Sequence, residues 1–133
     1  MKKNRVHHLG ELQYAIMRVL WERREASVAQ VFESLEPAQR RALTTIATML
    51  TKMEKKGVVS HRNEGRLFIY QPEIEQTDVQ RTMVADLTER LFGGDVTALV
   101  SHLITEQEVD RDELARLEKL IGDARGKERR HGR

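Results

Sequence analysis

The sequence predicts a mainly α fold with a small β-hairpin wing, a winged helix-turn-helix followed by an α-helical dimerisation domain. Three observations carry that prediction. Ile46, Met49, Leu50 and Met53 recur at i, i+3, i+4 and i+7, the spacing of a helix with one buried side. Directly after them come Gly57, a helix stop, and two β-prone runs, 58–59 and 67–70, which flank the polar tip His61, Arg62, Asn63, Glu64, Gly65 and Arg66. Finally, the formal charge of +2 divides at Pro72. Residues 1–72 hold 13 Lys+Arg against 7 Asp+Glu (+6), residues 73–121 hold 5 against 12 (−7), and residues 122–133 hold 5 against 2 (+3). A basic front half beside an acidic rear half implies that only the front meets nucleic acid.

Composition narrows the classes. A chain of 133 residues, 39% hydrophobic, has room for one domain or two small ones and can bury a core. Having no cysteine, it has neither a disulfide framework nor a thiolate metal site, which fits a reducing compartment. The start MKKNRVHHLG lacks the apolar stretch of a signal peptide, and no run of about 18 apolar residues could cross a membrane. A cytoplasmic protein without direct membrane insertion is expected.

Taken in order, Leu9, Leu12, Ile16, Val19 and Leu20 fall at helical spacing and give a first helix over about 10–23. Trp21, near its end, is assigned to the core, because a lone Trp beside an apolar stripe is far more often packed than stacked on a base. Ser27 opens a second helix with Gln30 at the N3 position of a capping box, and Ala26 and Val31 are spaced as a hydrophobic staple. Val28, Val31, Phe32 and Leu35 form its apolar face, and Pro37 stops it. The third helix and the hairpin complete a winged-helix domain over 1–72.

The outer arc of the third helix carries Thr44, Thr45, Thr48, Thr51, Lys52 and Lys55, with Glu54 only at its flank. Hydroxyls and cations without carboxylates suit an approach to phosphates and base edges, since a carboxylate there would repel the DNA backbone. The threonines alone fit a solvated face equally well. With Arg40 and Arg41 ahead of them and Arg62 and Arg66 in the wing, they become a candidate DNA-binding set.

Past Pro72, Thr77 and Gln80 form a further capping box, and Val79, Met83, Leu87 and Leu91 recur every four residues until Gly93 and Gly94. From Asp95 a shorter helix bears Val96, Leu99, Val100, Leu103 and Ile104 on one side. Asp110 with Glu113 caps a last helix, Val109 and Leu114 are its staple, and Leu117, Leu120 and Ile121 extend the stripe. Three short amphipathic helices make a poor core alone, and a second copy supplies the missing layer. Residues 73–121 are therefore expected to dimerise through Met83, Leu87, Leu91, Val96, Leu99, Val100, Leu103, Ile104, Leu114 and Leu117; packing back on the winged domain as a monomer is the alternative. Residues 122–133 contain glycines and charges without an apolar anchor and are expected to be a disordered basic tail, aiding either DNA attraction or solubility.

The blocks LGELQYAIMRVLWERREASVAQVFESL, TTIATMLTKMEKKGVVSHRNEGRLFIYQP and RLFGGDVTALVSHLITE resemble the penicillinase-repressor family of the BlaI/MecI/CopY type over about 9–121. The resemblance implies a homodimeric winged-helix repressor on a palindromic operator, controlling β-lactam resistance or a related stress response. It implies that Thr45 and Thr48 read the major groove, with Thr44 and Lys52 beside them and Arg66 in the wing. Close relatives often carry basic residues at the positions of Thr44 and Thr51, a departure from the family pattern that leaves the operator sequence open. In the family a membrane-anchored sensor of β-lactams leads to proteolysis of the repressor, by the sensor or a downstream protease, at an Asn-Phe bond that aligns with His102-Leu103. The copper-responsive branch uses a C-terminal cysteine cluster, which this chain lacks.

No HExxH, Gly-rich phosphate loop or nucleophile elbow is present, so no enzyme and no cofactor is expected. His102 with Glu106, and His7 with His8, lack a third protein ligand, so no metal is expected either. Two other readings remain open: a winged-helix protein-interaction module, separable by salt-sensitive binding to duplex DNA, and a small-molecule-responsive regulator, separable by an apolar pocket at a dimer interface.

Overall fold

Helix α1 (Glu11–Arg23) begins where the Gly10 amide donates to the Gln13 side chain at 3.1 Å, which satisfies one orphan amide at its entrance. The computed structural model describes residues 9–131. After α1 come β1 (Ala26–Ser27), α2 (Val28–Ser34), a single 3-10 turn at Pro37–Gln39, α3 (Leu43–Lys55), β2 (Val59–Glu64) and β3 (Leu67–Pro72). Helices α4 (Gln76–Phe92), α5 (Val96–Glu106) and α6 (Arg111–His131) follow. The fold is the expected winged helix-turn-helix with helices after it. The Ser27 hydroxyl accepts from the Gln30 amide while the Gln30 side chain accepts from the Ser27 amide, so the capping box forms as the sequence implied.

Two compact units divide the chain, one ending at Leu87 and one starting at Thr88. In the first, Ile16, Met17 and Leu20 of α1, Val31 of α2, and Ile46, Leu50 and Met53 of α3 are fully buried together with Val58, Val59 and Val79. Helix α3 ends in a Schellman closure: Gly57, at φ +84°, donates to Glu54, and Val58 donates to Met53 while both apolar side chains go inside. That closure delivers the chain directly into β2. Strands β2 and β3 pair antiparallel from Val59↔Pro72 to Glu64↔Leu67, and Gly65 takes the positive φ (61°) of the two-residue turn between them. The sheet has a third strand that the sequence did not disclose. Ala26 and Ser27 pair with Tyr70 and Ile69, giving the order β1-β3-β2; two residues are too few to show an alternating pattern.

The first unit also extends beyond Pro72, where the charge division placed its end. Val79 is fully buried in its core, Ile74 and Met83 pack against it, the Trp21 indole donates to the Ile74 carbonyl at 2.8 Å, and Gln76 donates to the Tyr14 hydroxyl at 3.3 Å. Met83, expected at the dimer surface, is half-buried and packs against this core. The start of α4 shifts as well: Thr77 lies inside the helix, and Asp78 and Val79 donate to the Glu75 carbonyl ahead of it. Seating Val79 and anchoring Gln76 decides this start over the local capping signal.

From Thr88 onward, among the described residues, only Thr88 itself is buried. Helix α5 buries none of its residues although Asp95 caps it by accepting from the Ala98 amide at 3.0 Å. Asp110 and Glu113 make both bonds of their capping box, at 2.9 and 3.3 Å. Helix α6 continues to His131, past Ile121, where the sequence implied its end and a disordered tail. Gly122 and Gly126 lie within it at helical geometry, and one glycine costs only about 1 kcal/mol against alanine, too little to stop a run already nucleated by its cap.

Candidate nucleic-acid interface

The outer face of α3 is built by what its inner face buries. With Ile46, Leu50 and Met53 locked in the core, the 3.6-residue period leaves Thr44, Thr45, Thr48, Thr51, Lys52 and Lys55 exposed. Ala42 supplies no side-chain cap, so the positive end of the helix dipole is open to an anion. Thr44, Thr45, Thr48 and Lys52 line a shallow groove of about 240 Å³ together with Met49. Thr51 differs from the other three: its hydroxyl donates to the Ala47 carbonyl at 3.0 Å, one turn back, and also meets Tyr70.

The flanking cations separate into free and engaged. The Arg40 guanidinium lies 5.5 Å from the Phe32 ring centroid and donates to the carbonyls of Leu35 and Glu33, both at 3.1 Å, closing the C-terminal end of α2. Arg40, expected at the DNA face, is exposed but already engaged by these carbonyls. Arg41 donates to the Arg40 carbonyl at 3.0 Å but remains exposed. Arg62 is held by two carboxylates, Glu25 at 2.7 and 3.1 Å and Glu64 at 2.6 Å, so its charge is balanced before any ligand arrives. This raises the Arg62 guanidinium further above its ordinary value, and the hydrogen bond from Arg62 holds the Glu25 carboxyl below the usual carboxylate range. Glu25 lies 37 positions from Arg62, and no sequence pattern could have paired them. Arg66, at the turn, has no ion pair among the described residues.

Behind the face, the wing is fastened to α3. His61 Nδ1 lies 2.7 Å from Glu54 Oε1, the His61 ring stacks on Phe68 with centroids 4.0 Å apart, and Tyr70 stands 5.5 Å away. Glu54, the one carboxylate near the reading arc, is turned to the wing by this contact. The Tyr70 phenol is pushed up from its ordinary value by burial, a shift partly offset by the hydrogen bond with Thr51.

The expected dimer residues remain uncovered for the most part. Leu91, Val96, Val100, Leu103, Ile104 and Leu114 are exposed, as is Leu87 in the first unit, whereas Leu99 and Leu117 are half-buried. The bond joining His102 and Leu103 lies within α5, and the His102 ring sits 5.7 Å from that of Phe92. His7 and His8 lie outside the described residues, as do the last two residues of the tail. Among the described residues no cluster of three or more His, Cys, Asp or Glu could hold a metal, and no helix is long and apolar enough to cross a membrane.

Fold and face together define a winged helix-turn-helix protein whose third helix carries a hydroxyl-rich, cationic outer surface. The family model described as "Penicillinase repressor" matches residues 9–123, and the chain belongs to that family. It is 23% identical to the penicillinase repressor of Bacillus licheniformis over 97% of this chain and 99% of that one. It is 20% identical to the methicillin resistance regulatory protein MecI of Mammaliicoccus sciuri over 89% of this chain and 96% of that one. Among solved structures, the DNA-binding domain of the repressor BlaI is similar at 30% identity with a TM-score of 0.49, covering 55% of this chain and 89% of that one.

Proposed function

We propose that this chain is a sequence-specific DNA-binding transcriptional repressor acting in the cytoplasm as a homodimer on a palindromic operator. The observation that carries the reading is the outer face of α3: exposed hydroxyls at Thr44, Thr45 and Thr48, cations at Lys52 and Lys55, and an N-terminus without a side-chain cap, with Glu54 drawn off to the wing. Thr44, Thr45 and Thr48 address base edges, while Lys52, Lys55, Arg41 and Arg66 address phosphates. Homodimerisation is supported by a second unit that forms capped helices yet buries almost nothing by itself. Relatives named for penicillinase and methicillin resistance point to β-lactams or a related stress as the inducing signal. Release through a membrane sensor or its downstream protease would cut near His102 and Leu103, and because that bond is helical, α5 must open locally first.

The test is binding of the full chain to a random duplex pool followed by selection and anisotropy at two salt concentrations. Enrichment of an inverted repeat, bound with strong salt dependence by two chains, is expected. A failure to enrich any sequence, or sedimentation as a monomer at micromolar concentration, would overturn the proposal.

A further inference from the structure

Four of the five residues that line the groove on α3 belong to its polar face, and the fifth is Met49. By period Met49 sits with the buried stripe, yet it is only half-buried, so its thioether reaches the boundary where core and outer face meet. Its position is fixed from a different helix. The Gln13 amide nitrogen donates to Met49 Sδ at 3.5 Å, while the Gln13 oxygen accepts the Gly10 amide at 3.1 Å. Because the oxygen is committed to a donor, the nitrogen is the atom that must face the sulfur. A thioether is a weak acceptor, but methionine has several low-energy rotamers and a weak directional contact is enough to favour one. The result is an apolar spot held in place within an otherwise polar reading surface, beside Thr45 and Thr48, each of which contributes a methyl as well as a hydroxyl.

In the major groove of duplex DNA one base edge alone presents an apolar group, the C5-methyl of thymine. We propose that Met49, with Thr45 and Thr48, forms the contact for a thymine 5-methyl group and is thereby a specificity-determining residue of the reading helix. The inference rests on the repressor reading above and adds an atom to it: the operator half-site carries a thymine opposite Met49, recognised by its methyl and not only by its oxygen.

The experiment takes the site selected from the random duplex pool and replaces each thymine singly with deoxyuridine, which preserves the base pair and removes only the methyl. One thymine in each half-site should lose about fourfold in affinity on replacement, the value of one buried carbon at about 0.8 kcal/mol. That difference should vanish in Met49→Ala, persist in Met49→Leu, and shrink in Thr48→Ser, which keeps the hydroxyl and deletes a methyl. Should Met49→Ala not fold, the Met49→Leu and Thr48→Ser pair still decides. A selected site at which no replacement weakens binding, or a thymine preference unchanged in Met49→Ala and Thr48→Ser, would overturn the inference while leaving DNA binding intact. Failure to enrich any site would overturn both.

Discussion

The two units use similar local signals and reach opposite ends. Both have capping boxes whose hydrogen bonds form, at Ser27 with Gln30 in the first and Asp110 with Glu113 in the second, and both carry apolar side chains at helical spacing. In the first, those side chains close into a core with Ile16, Leu20, Ile46, Leu50 and Val79 fully inside. In the second, Leu91, Val96, Leu120 and Ile121 each stay more than half exposed. At Ser27, Asp95 and Asp110 a cap sets where the helix begins; it does not decide whether an apolar stripe finds a surface to cover it. The first unit buries its own stripes, whereas the second leaves its stripe exposed.

The largest expected effect tests that difference. Replacing Leu99 and Leu103 with Asp puts charge on the stripe, and operator affinity should fall by about 100-fold or more as two linked reading helices become independent. Anisotropy with parallel sedimentation would show it, and an unchanged dimer would place the interface elsewhere. Next, a chain ending at Phe92 should keep the melting transition of the first unit, while one ending at Pro72 should lose about 3 kcal/mol or more, because Val79, Ile74 and the Trp21 to Ile74 hydrogen bond all go. Equal denaturant stability of the two truncations would return the boundary to Pro72. Within the first unit, Thr45→Ala and Thr48→Ala should each weaken specific binding by about 1 to 3 kcal/mol and nonspecific binding less, as measured by competition gel shift.

Smaller still is the contrast between two wing arginines. Arg66→Ala should reduce the salt slope of DNA binding by about one unit if its free charge meets a phosphate, and Arg62→Ala should leave the slope nearly unchanged because Glu25 and Glu64 already balance it. Equal effects would mean that Arg62 leaves its carboxylates on binding. The smallest effect is alkaline. Burial raises the Tyr70 phenol, so its share of stability is complete below the ordinary value of 10.0 and is lost as pH rises through the higher folded-state value. Melting curves should decline above that ordinary value, and Tyr70→Phe should remove part of the decline.

What was legible in the sequence follows a physical division. Periodicity showed α1, α3 and α5, and turn and cap chemistry showed the hairpin and the Ser27, Asp95 and Asp110 starts, because these signals lie within a few residues of one another. Charge and the end of the hairpin set a boundary at Pro72, and neither could show that Ile74, Val79 and Met83 join a core assembled from distant segments. On α3, periodicity gave the exposed arc, but composition counted every cation alike. It could not show that Arg40 closes α2, that Arg62 is held by Glu25, or that Gln13 holds Met49, since each depends on partners that only the fold brings together.

Trp21 is the chain's single tryptophan, and its indole is hydrogen-bonded to Ile74 and edge-on to Tyr14 at 5.6 Å. Its emission therefore monitors, without any added label, whether the segment leading into α4 is seated on α1. A red shift during a titration with denaturant, DNA or protease would report that seat opening in real time, separately from whatever happens on the face of α3.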